Sequence, residues 1–343
     1  MSPMSSISGE RPTLLDVARA AGVSAATASR VLNGFHQVRP ETRRQVEGAM
    51  AELGYTRLRS ARGTQPDRTG SIAFVVCEEG PRLFSDPFFA RVLWGASREL
   101  GPAGMQLVLL MVRSAQDYQA SANRYLRGGH VDGALFVSMH GRHPIDLDGV
   151  SVPVVFGGCP AGADIEKLCY VDADNRGGAE RAVRYLVESG RQVIATVAGP
   201  RDMTVGVDRL AGYRTALTAA GLFDPKLVAY GDFGQASGDH AVHLLLDRRP
   251  DLDAIFAASD LMAVGALRAL RRTGRRVPDD VAVIGFDDSP IARQTDPPLT
   301  TVRQPIEEMG GMMARELLTL IRATRPHSRH VVLDTQLVVR DSA

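Results

Sequence analysis

Polar and aromatic side chains follow several apolar runs in the larger, C-terminal part of the chain, and their types suit the recognition of a carbohydrate. They are Asp86, Phe88, Phe89, Met139, His140, Asp174, Arg209, Phe233, Ser259, Asp260 and Asp287. Carboxylates and a guanidinium form paired hydrogen bonds with adjacent hydroxyls, and aromatic rings stack on the apolar face of a pyranose. The pattern therefore predicts a sugar site, provided that the fold brings these run ends together.

Each of these residues also has a purely structural interpretation. Asp260 stands where a helix N-cap is expected, and Asp287 with Asp288 is typical of a turn. Phe88 is equally typical of a core and Arg209 of a surface ion pair, so the residues alone leave both interpretations open. No Ser/His/Asp or Cys/His set shows catalytic spacing, and no G-x-G-x-x-G follows a strand. We therefore expect neither an enzyme nor a bound cofactor or metal.

The elements that must position these side chains alternate between apolar runs and amphipathic stretches. The apolar runs, read as strands, cover 71–77, 105–112, 133–138, 152–156, 192–198, 254–258 and 281–286. The stretches read as helices lie near 87–100, 116–128, 176–189, 207–220, 236–248, 261–273 and 305–323. This alternation predicts α/β lobes with doubly wound parallel sheets, whose ligands bind beyond the carboxyl ends of the strands. So long a stretch exceeds one core, so two lobes are expected.

Three short helices are predicted before residue 57. Thr13 and Asp16 stand at capping-box spacing, Gly22 ends the first helix, and Ser24 caps the second. The second helix has one apolar face and an opposite face of small and polar groups, which are Ala25, Ala26, Ser29, Arg30 and Asn33. A third helix begins at Pro40. This is the pattern of a helix-turn-helix, whose second helix enters the major groove of DNA.

Composition and charge indicate a globular protein with one basic end. Of the 343 residues, 44% are hydrophobic and 23% charged. Residues 1–70 carry ten Arg against six acidic residues, a net charge of +4, and the remainder carries −3, which suits a nucleic-acid contact at one end.

Cys77, Cys159 and Cys169 lack metal-ligand spacing and are expected to be buried free thiols. Residues 1–10 resemble a disordered tail rather than a signal peptide, and no apolar run approaches a span of about 18 residues, so we expect a cytoplasmic protein without membrane contact.

The first part of the chain resembles a known family. The segments TLLDVARAAGVS, TASRVLNG and VRPETRRQVEGAMAELGY are similar to the headpiece of the lactose-repressor (LacI/GalR) family of bacterial transcription regulators. The resemblance implies an all-α DNA-binding headpiece at 11–56, a hinge or linker at 57–70 and a periplasmic-binding-protein-like body at 71–343. It implies an N-lobe of about 71–170 and 304–332 and a C-lobe of about 171–303 and 333–343, joined by crossings near 170, 303 and 333.

The resemblance also implies which residues contact operator DNA. They are Thr13, Ser24, Ala25, Ala26, Thr27, Ser29, Arg30, Asn33, Arg57, Arg59, Ala61 and Arg62. The hinge departs from the family pattern, because Thr64 replaces the Leu that wedges into the minor groove. Gly63 and Pro66 further disfavour a helix, so both a basic hinge and a plain flexible linker remain open.

In the body, the resemblance assigns roles within the effector site. Arg209 and Asp287 match residues that bind effector hydroxyls, Phe233 matches a stacking aromatic, and Gln304 matches a site glutamine. Ser259 replaces a family Asn, and Gly158 replaces an Asp that binds sugar in one branch. The segments LFSDPFF, YVDADNRGG, AGPRDM, YGDF, FAASDLM, RRVPDDVAVIGFDDS and DPPLTTVRQPIEEMG resemble the branch that responds to cellobiose and cello-oligosaccharides.

These expectations combine into one functional hypothesis and several alternatives. The chain is expected to form a homodimeric repressor of sugar-utilisation genes that binds a palindromic operator and is released by a cello-oligosaccharide. A purine-type regulator that needs a corepressor remains an alternative, as does a response to another β-glycoside such as xylobiose. A sugar-binding transport protein or a sugar-modifying enzyme is opposed by the headpiece and by the missing catalytic set.

Overall fold

The computed structural model describes residues 13–32, 38–53, 69–78, 80–141, 146–162, 165–323 and 328–343. The chain divides between residues 67 and 68 into two compact units, a headpiece and a body. The predicted tail at 1–10 and most of the predicted hinge lie outside the described residues.

The headpiece is built from three helices, α1 (Leu14–Ala20), α2 (Ala25–Leu32) and α3 (Pro40–Leu53). The predicted capping box is confirmed: the Asp16 amide donates to the Thr13 hydroxyl, and the Thr13 amide donates to the Asp16 carboxylate. Gly22 adopts φ 65° between α1 and α2, a left-handed conformation that glycine reaches without a Cβ clash. The three helices pack around one hydrophobic core, which contains Val17, Ala18, Ala28, Val31, Val46 and Ala49.

The body contains two six-stranded sheets within the described ranges. In chain order the strands are β1 (Ser71–Val76), β2 (Gln106–Met111), β3 (Gly133–Val137), β4 (Val154–Gly157), β5 (Cys169–Ala173), β6 (Ile194–Ala198), β7 (Val228–Tyr230), β8 (Ala254–Ala257), β9 (Ala282–Asp287), β10 (Thr300–Arg303), β11 (His330–Leu333) and β12 (Gln336–Val338). The first sheet has the order β11-β5-β4-β3-β1-β2, and the second has the order β12-β10-β9-β8-β6-β7.

Helices cover both faces of each sheet. In chain order they are α4 (Gly80–Ser85), α5 (Pro87–Leu100), α6 (Ala115–Asp117), α7 (Asn123–Arg127), α8 (Asn175–Glu188), α9 (Thr204–Ala220), α10 (Gln235–Arg248), α11 (Asp260–Arg272) and α12 (Ile306–Arg322). We call the first sheet with α4 to α7 and α12 the N-lobe, and the second sheet with α8 to α11 the C-lobe. In each lobe, alternating faces of continuous apolar strands pack under these helices, which gives four separate core clusters in the body.

The doubly wound α/β architecture is confirmed, with local corrections. Strand β5 pairs with β4 through Gly157 and Val171, so the chain first passes from the N-lobe to the C-lobe after residue 173. The later crossings follow β10 and β11. Strands β5, β7, β10, β11 and β12 were not predicted, and β12 runs antiparallel to β10. Among the described helices, none is long and apolar enough to cross a membrane.

Candidate functional site

A cleft of roughly 720 Å³, partly open to solvent, lies at the carboxyl ends of both sheets. Its lining residues follow strands of either lobe or begin the next helix, and they are Arg82, Asp86, Phe88, Phe89, Ser138, Met139, Gly157, Gly158, Cys159, Asp172, Asn175, Met203, Thr204, Val205, Arg209, Phe233, Ser259, Asp287, Gln304 and Met309. Ligands of open α/β sheets bind at this position, beyond the carboxyl ends of the strands. The cleft is therefore the candidate effector site.

Arg209, on α9, is the buried cation of the cleft and is only 3% exposed. Its Nε donates to Asn175 Oδ1 at 2.9 Å, and its Nη1 donates to the Ala258 carbonyl at 2.6 Å. The guanidinium also lies 3.7 Å from the centroid of the Phe286 ring. Burial lowers the pKa of Arg209 and Asp287 opposes that shift, but a guanidinium stays charged in proteins. Arg209 is thus fixed in one orientation before any ligand arrives.

Asp287, at the end of β9, faces Arg209. Its Oδ1 accepts hydrogen bonds from Gln304 Nε2 at 2.6 Å and from Arg209 Nη1 at 3.4 Å. Burial raises the pKa of Asp287, whereas the positive charge of Arg209 lowers it. The pair places a guanidinium donor beside a carboxylate acceptor in the cleft, and both kinds of group form charge-assisted hydrogen bonds with hydroxyls.

Aromatic rings form the apolar part of the cleft. Phe88 and Phe89 meet edge to face with centroids 5.4 Å apart. The Phe233 ring lies 5.3 Å from the Arg82 guanidinium and 5.8 Å from that of Arg209. These rings give a sugar ring apolar surfaces beside charged groups.

Backbone strain is concentrated around this cleft. Among the described residues other than glycine, positive φ angles occur at Ser138 (61°), Phe233 (68°), Asp287 (118°) and Asp288 (46°). The first three line the cleft. Strained residues of this kind persist only where their surroundings hold them, and they cluster at ligand sites.

A buried polar network joins the two lobes beside the cleft. His140, which follows β3, lies between two carboxylates, with Nε2 3.3 Å from Glu78 Oε1 and Nδ1 3.0 Å from Asp202 Oδ2. Glu78 also accepts from Ser138 Oγ at 2.6 Å and from Arg82 Nη1 at 2.7 Å. Burial alone would lower the pKa of His140, but the hydrogen bonds to Glu78 and Asp202 outweigh it and raise that pKa. Because Asp202 belongs to the C-lobe, His140 connects the lobes.

The structure brings most of the predicted effector residues together. The residues that line the cleft are Asp86, Phe88, Phe89, Met139, Arg209, Phe233, Ser259, Asp287 and Gln304. Three predicted residues do not line it. His140 is held in the lobe-joining network, and Asp174 caps α8 through the Gly177 amide and pairs with Arg181. Asp260 is completely buried, because it accepts from Thr301 Oγ1 and the Ser289 amide behind the cleft wall.

Several lining residues were missed by the sequence reasoning. Arg82 belongs to α4, a short helix that no periodic pattern indicated, and its buried Nε has no hydrogen-bond partner among the described residues. Asn175 and Met309 lie in α8 and α12, the helices that follow the first and second lobe crossings. The sequence does not show which lobe a residue near a crossing belongs to. Cys159 was expected to be a buried thiol but is half-buried in the cleft wall, and Cys77 is half-buried as well. Ser138 and Gly157 had a signal, since they end or directly follow the strands predicted at 133–138 and 152–156.

On the headpiece, the predicted DNA-facing side of α2 is exposed. Ala25, Ala26 and Arg30 are exposed, whereas Thr27 and Ser29 are half-buried. The Ser24 hydroxyl accepts from the Thr27 amide at 3.1 Å and thereby caps α2, and Thr13 is engaged in its capping box. The remaining predicted DNA contacts lie outside the described residues, namely Asn33, Arg57, Arg59, Ala61 and Arg62.

Comparisons with known proteins agree with this architecture in both units. The family model described as bacterial regulatory proteins, lacI family, matches residues 13–57, and the periplasmic binding protein-like domain matches residues 183–343. The HTH-type transcriptional regulator CelR of Thermobifida fusca is 49% identical over 335 residues, which cover 97% of this chain and 98% of that protein.

Solved structures give the same result. A transcriptional regulator CelR-cellobiose complex has a TM-score of 0.78 and 48% identity, covering 97% of this chain and 100% of that chain. The lac repressor dimer bound to operator and the anti-inducer ONPF has a TM-score of 0.74 and 28% identity, covering 97% of this chain and 99% of that chain.

Proposed function

The chain belongs to the lacI family of bacterial regulatory proteins, and from this premise we propose that it is a transcriptional repressor released from its operator by cellobiose or a cello-oligosaccharide. The observation that carries the proposal is its similarity, over 97% of its length, to a regulator whose structure is described as a cellobiose complex. The paired Arg209 and Asp287, with Phe233 beside them, supply the polar and apolar surfaces that such a sugar needs.

The cleft supports a mechanism in which the sugar acts on the arrangement of the lobes. Asp86 and Met139 come from the N-lobe, whereas Arg209, Phe233 and Asp287 come from the C-lobe. A ligand that contacts both lobes binds one arrangement more tightly than another, and only such unequal affinity shifts the equilibrium between them. The shifted body then lowers the affinity of the headpiece for operator DNA.

In the proposed complex, α2 lies in the major groove. Ala25 and Ala26 would contact thymine methyl groups, and Arg30 would bind a phosphate or a base edge. Ser24, Thr27 and Ser29 add hydroxyls at the same surface. Thr13, the N-cap of α1, would lie near the sugar-phosphate backbone of the DNA. A homodimer would place two such helices about one helical turn apart on a near-palindrome. A regulator of this kind acts on the chromosome, in the cytoplasm.

The test is binding of a DNA fragment from the region upstream of the protein's own gene, with and without cellobiose, cellotriose and xylobiose. Release by either cello-oligosaccharide supports the proposal. Release by xylobiose alone would mean that the effector is another β-glycoside. Binding that strengthens with a purine indicates a corepressor-dependent regulator. No binding at low salt contradicts the regulator and favours a sugar-binding transport protein or a sugar-modifying enzyme.

A further inference from the structure

Arg91, on α5, does not line the cleft itself but contacts Asp287, a strained residue that does. Its Nη1 donates to the main-chain oxygen of Asp287 at 3.3 Å. Arg91 belongs to the N-lobe and Asp287 to the C-lobe, so this hydrogen bond crosses between the lobes.

Glu307 holds the Arg91 guanidinium in place. Arg91 Nε donates to Glu307 Oε1 at 2.6 Å and Nη2 donates to Oε2 at 2.9 Å, which is a bidentate ion pair. Such a pair fixes the plane of the guanidinium and therefore the direction of its third donor. Glu307 lies in the first turn of α12, three residues after Gln304.

The two helices that carry this ion pair are in direct backbone contact. A Cβ added at Gly95 would lie 1.9 Å from the Glu307 carbonyl oxygen, and one added at Gly310 would lie 2.1 Å from the Val92 carbonyl oxygen. Because glycines let α5 and α12 approach so closely, Arg91 and Glu307 move together with the N-lobe.

Asp287 accepts hydrogen bonds at both its side-chain carboxylate and its main-chain carbonyl. Gln304 donates to its carboxylate and Arg91 donates to its carbonyl. Its φ of 118° lies in a region that side chains rarely adopt and that needs support from the surroundings.

We propose that Arg91 is a positioning residue of the effector site, which keeps the Asp287 carboxylate directed into the cleft and links it to the N-lobe. The inference rests on the proposed function where it assigns Asp287 to the sugar. Its structural part, the support of the strained Asp287 segment, stands independently of any ligand.

The first test is a double-mutant cycle on cellobiose binding, measured by calorimetry on the full-length protein. Arg91→Gln is expected to weaken binding about tenfold, because a charge-assisted hydrogen bond is lost. In an Asp287→Ala background the same change is expected to cost no more than about twofold, because the carboxylate that Arg91 positions is gone. Arg98→Gln, an exposed arginine on the same helix, is the matched control. Equal losses in both backgrounds would indicate a general structural role and overturn the inference.

The second test needs no ligand. Amide hydrogen exchange is measured on the peptide covering 284–290 in the full-length protein. Arg91→Gln and Glu307→Gln are each expected to accelerate exchange there about fivefold relative to Arg98→Gln, since the segment loses its support. Unchanged exchange in both variants overturns the inference. A wild-type protein that binds no cellobiose would refute the proposed effector, whereas the exchange result would still decide the role of Arg91.

Discussion

Gln304 donates a hydrogen bond to Asp287 at 2.6 Å, and the two residues stand on either side of a lobe crossing. Asp287 ends β9 in the C-lobe. Gln304 follows β10, where the chain leaves that sheet to begin α12 of the N-lobe. The Asp287 carboxylate is therefore hydrogen-bonded directly to a segment that connects the lobes.

Substitution of Arg209 is expected to remove most of the sugar affinity. In Arg209→Gln the cleft loses its fixed guanidinium, and Asp287 loses the charge that keeps its pKa from rising further. We expect cellobiose affinity to fall by about 100-fold, since hydrogen bonds to charged groups are the strong ones. Calorimetry measures the change, and Arg214→Gln, exposed on the same helix, is expected to bind as the wild type does. A loss in both variants would mean that the site lies elsewhere.

The His140 network is expected to make stability depend on pH. The pKa of His140 is raised above its ordinary value of 6.5 by the hydrogen bonds that outweigh its burial. A histidine whose pKa is higher in the folded state than in the unfolded state stabilises the folded state when it is protonated. This stabilisation is complete at pH values below the pKa of the unfolded state, and it is lost as the pH rises through the pKa of the folded state. Urea denaturation is therefore expected to show His140→Gln less stable than wild type at about pH 6, with a smaller difference at about pH 8.

The control for this prediction is His240→Gln, which replaces an exposed histidine on α10. It should follow the wild-type pH profile. A His140→Gln difference that stays constant, or that grows toward high pH, contradicts a charged His140 between Glu78 and Asp202.

Arg30 is expected to contribute to operator affinity through its charge. Arg30→Ala should weaken operator binding about fivefold and reduce the slope of log affinity against log salt by about one, as for the loss of one phosphate contact. Fluorescence anisotropy at several salt concentrations measures both quantities. Arg98→Ala removes the same charge from the body and should change neither quantity. An unchanged slope in Arg30→Ala would place Arg30 away from phosphate.

Close packing of α5 on α12 is expected to be intolerant of a single methyl group. Gly95→Ala places Cβ within 1.9 Å of a main-chain oxygen that cannot move alone, so we expect a loss of about 2 kcal/mol in the free energy of unfolding. Gly311→Ala on α12 meets only side-chain atoms at 3.5 Å or beyond and should be neutral or slightly stabilising, because alanine is the better helix former. Thermal unfolding of both variants, followed by circular dichroism, compares them. Equal stability of the two variants would refute the close approach.

Residues at strand ends predicted much of the cleft lining, but the sequence did not show which of two adjacent polar residues faces the cleft. Ser259 and Asp260 are both polar and both follow β8. In the structure Ser259 caps α11 and faces the cleft, whereas Asp260 turns to Thr301 and the Ser289 amide. That choice depends on where the helix begins and on a strand about forty residues later, which no local pattern contains.

Strands made of continuous apolar runs were predictable, including β4 and β8 with only four residues each, and strands with polar residues or very few residues were not. Strands β7, β10 and β12 have three or four residues, too few to display a period, and β10 also carries two threonines and an arginine. Arg82 was missed for a related reason, because α4 is six residues long and its position beside Phe233 is set by tertiary packing. Arg209 and Asp287 were indicated by their residue types and places in the chain and then by the match to a known family, whereas Gln304 was found by that match alone.

Repression relieved by cellobiose is measured through the anisotropy of a labelled operator fragment bound to the full-length protein and titrated with cellobiose. We expect cellobiose to release the operator from wild type, and Arg209→Gln to bind the operator equally well without sugar but to require about 100-fold more sugar for release. Operator binding by wild-type protein that stays unchanged at saturating cellobiose would contradict a cellobiose-released repressor.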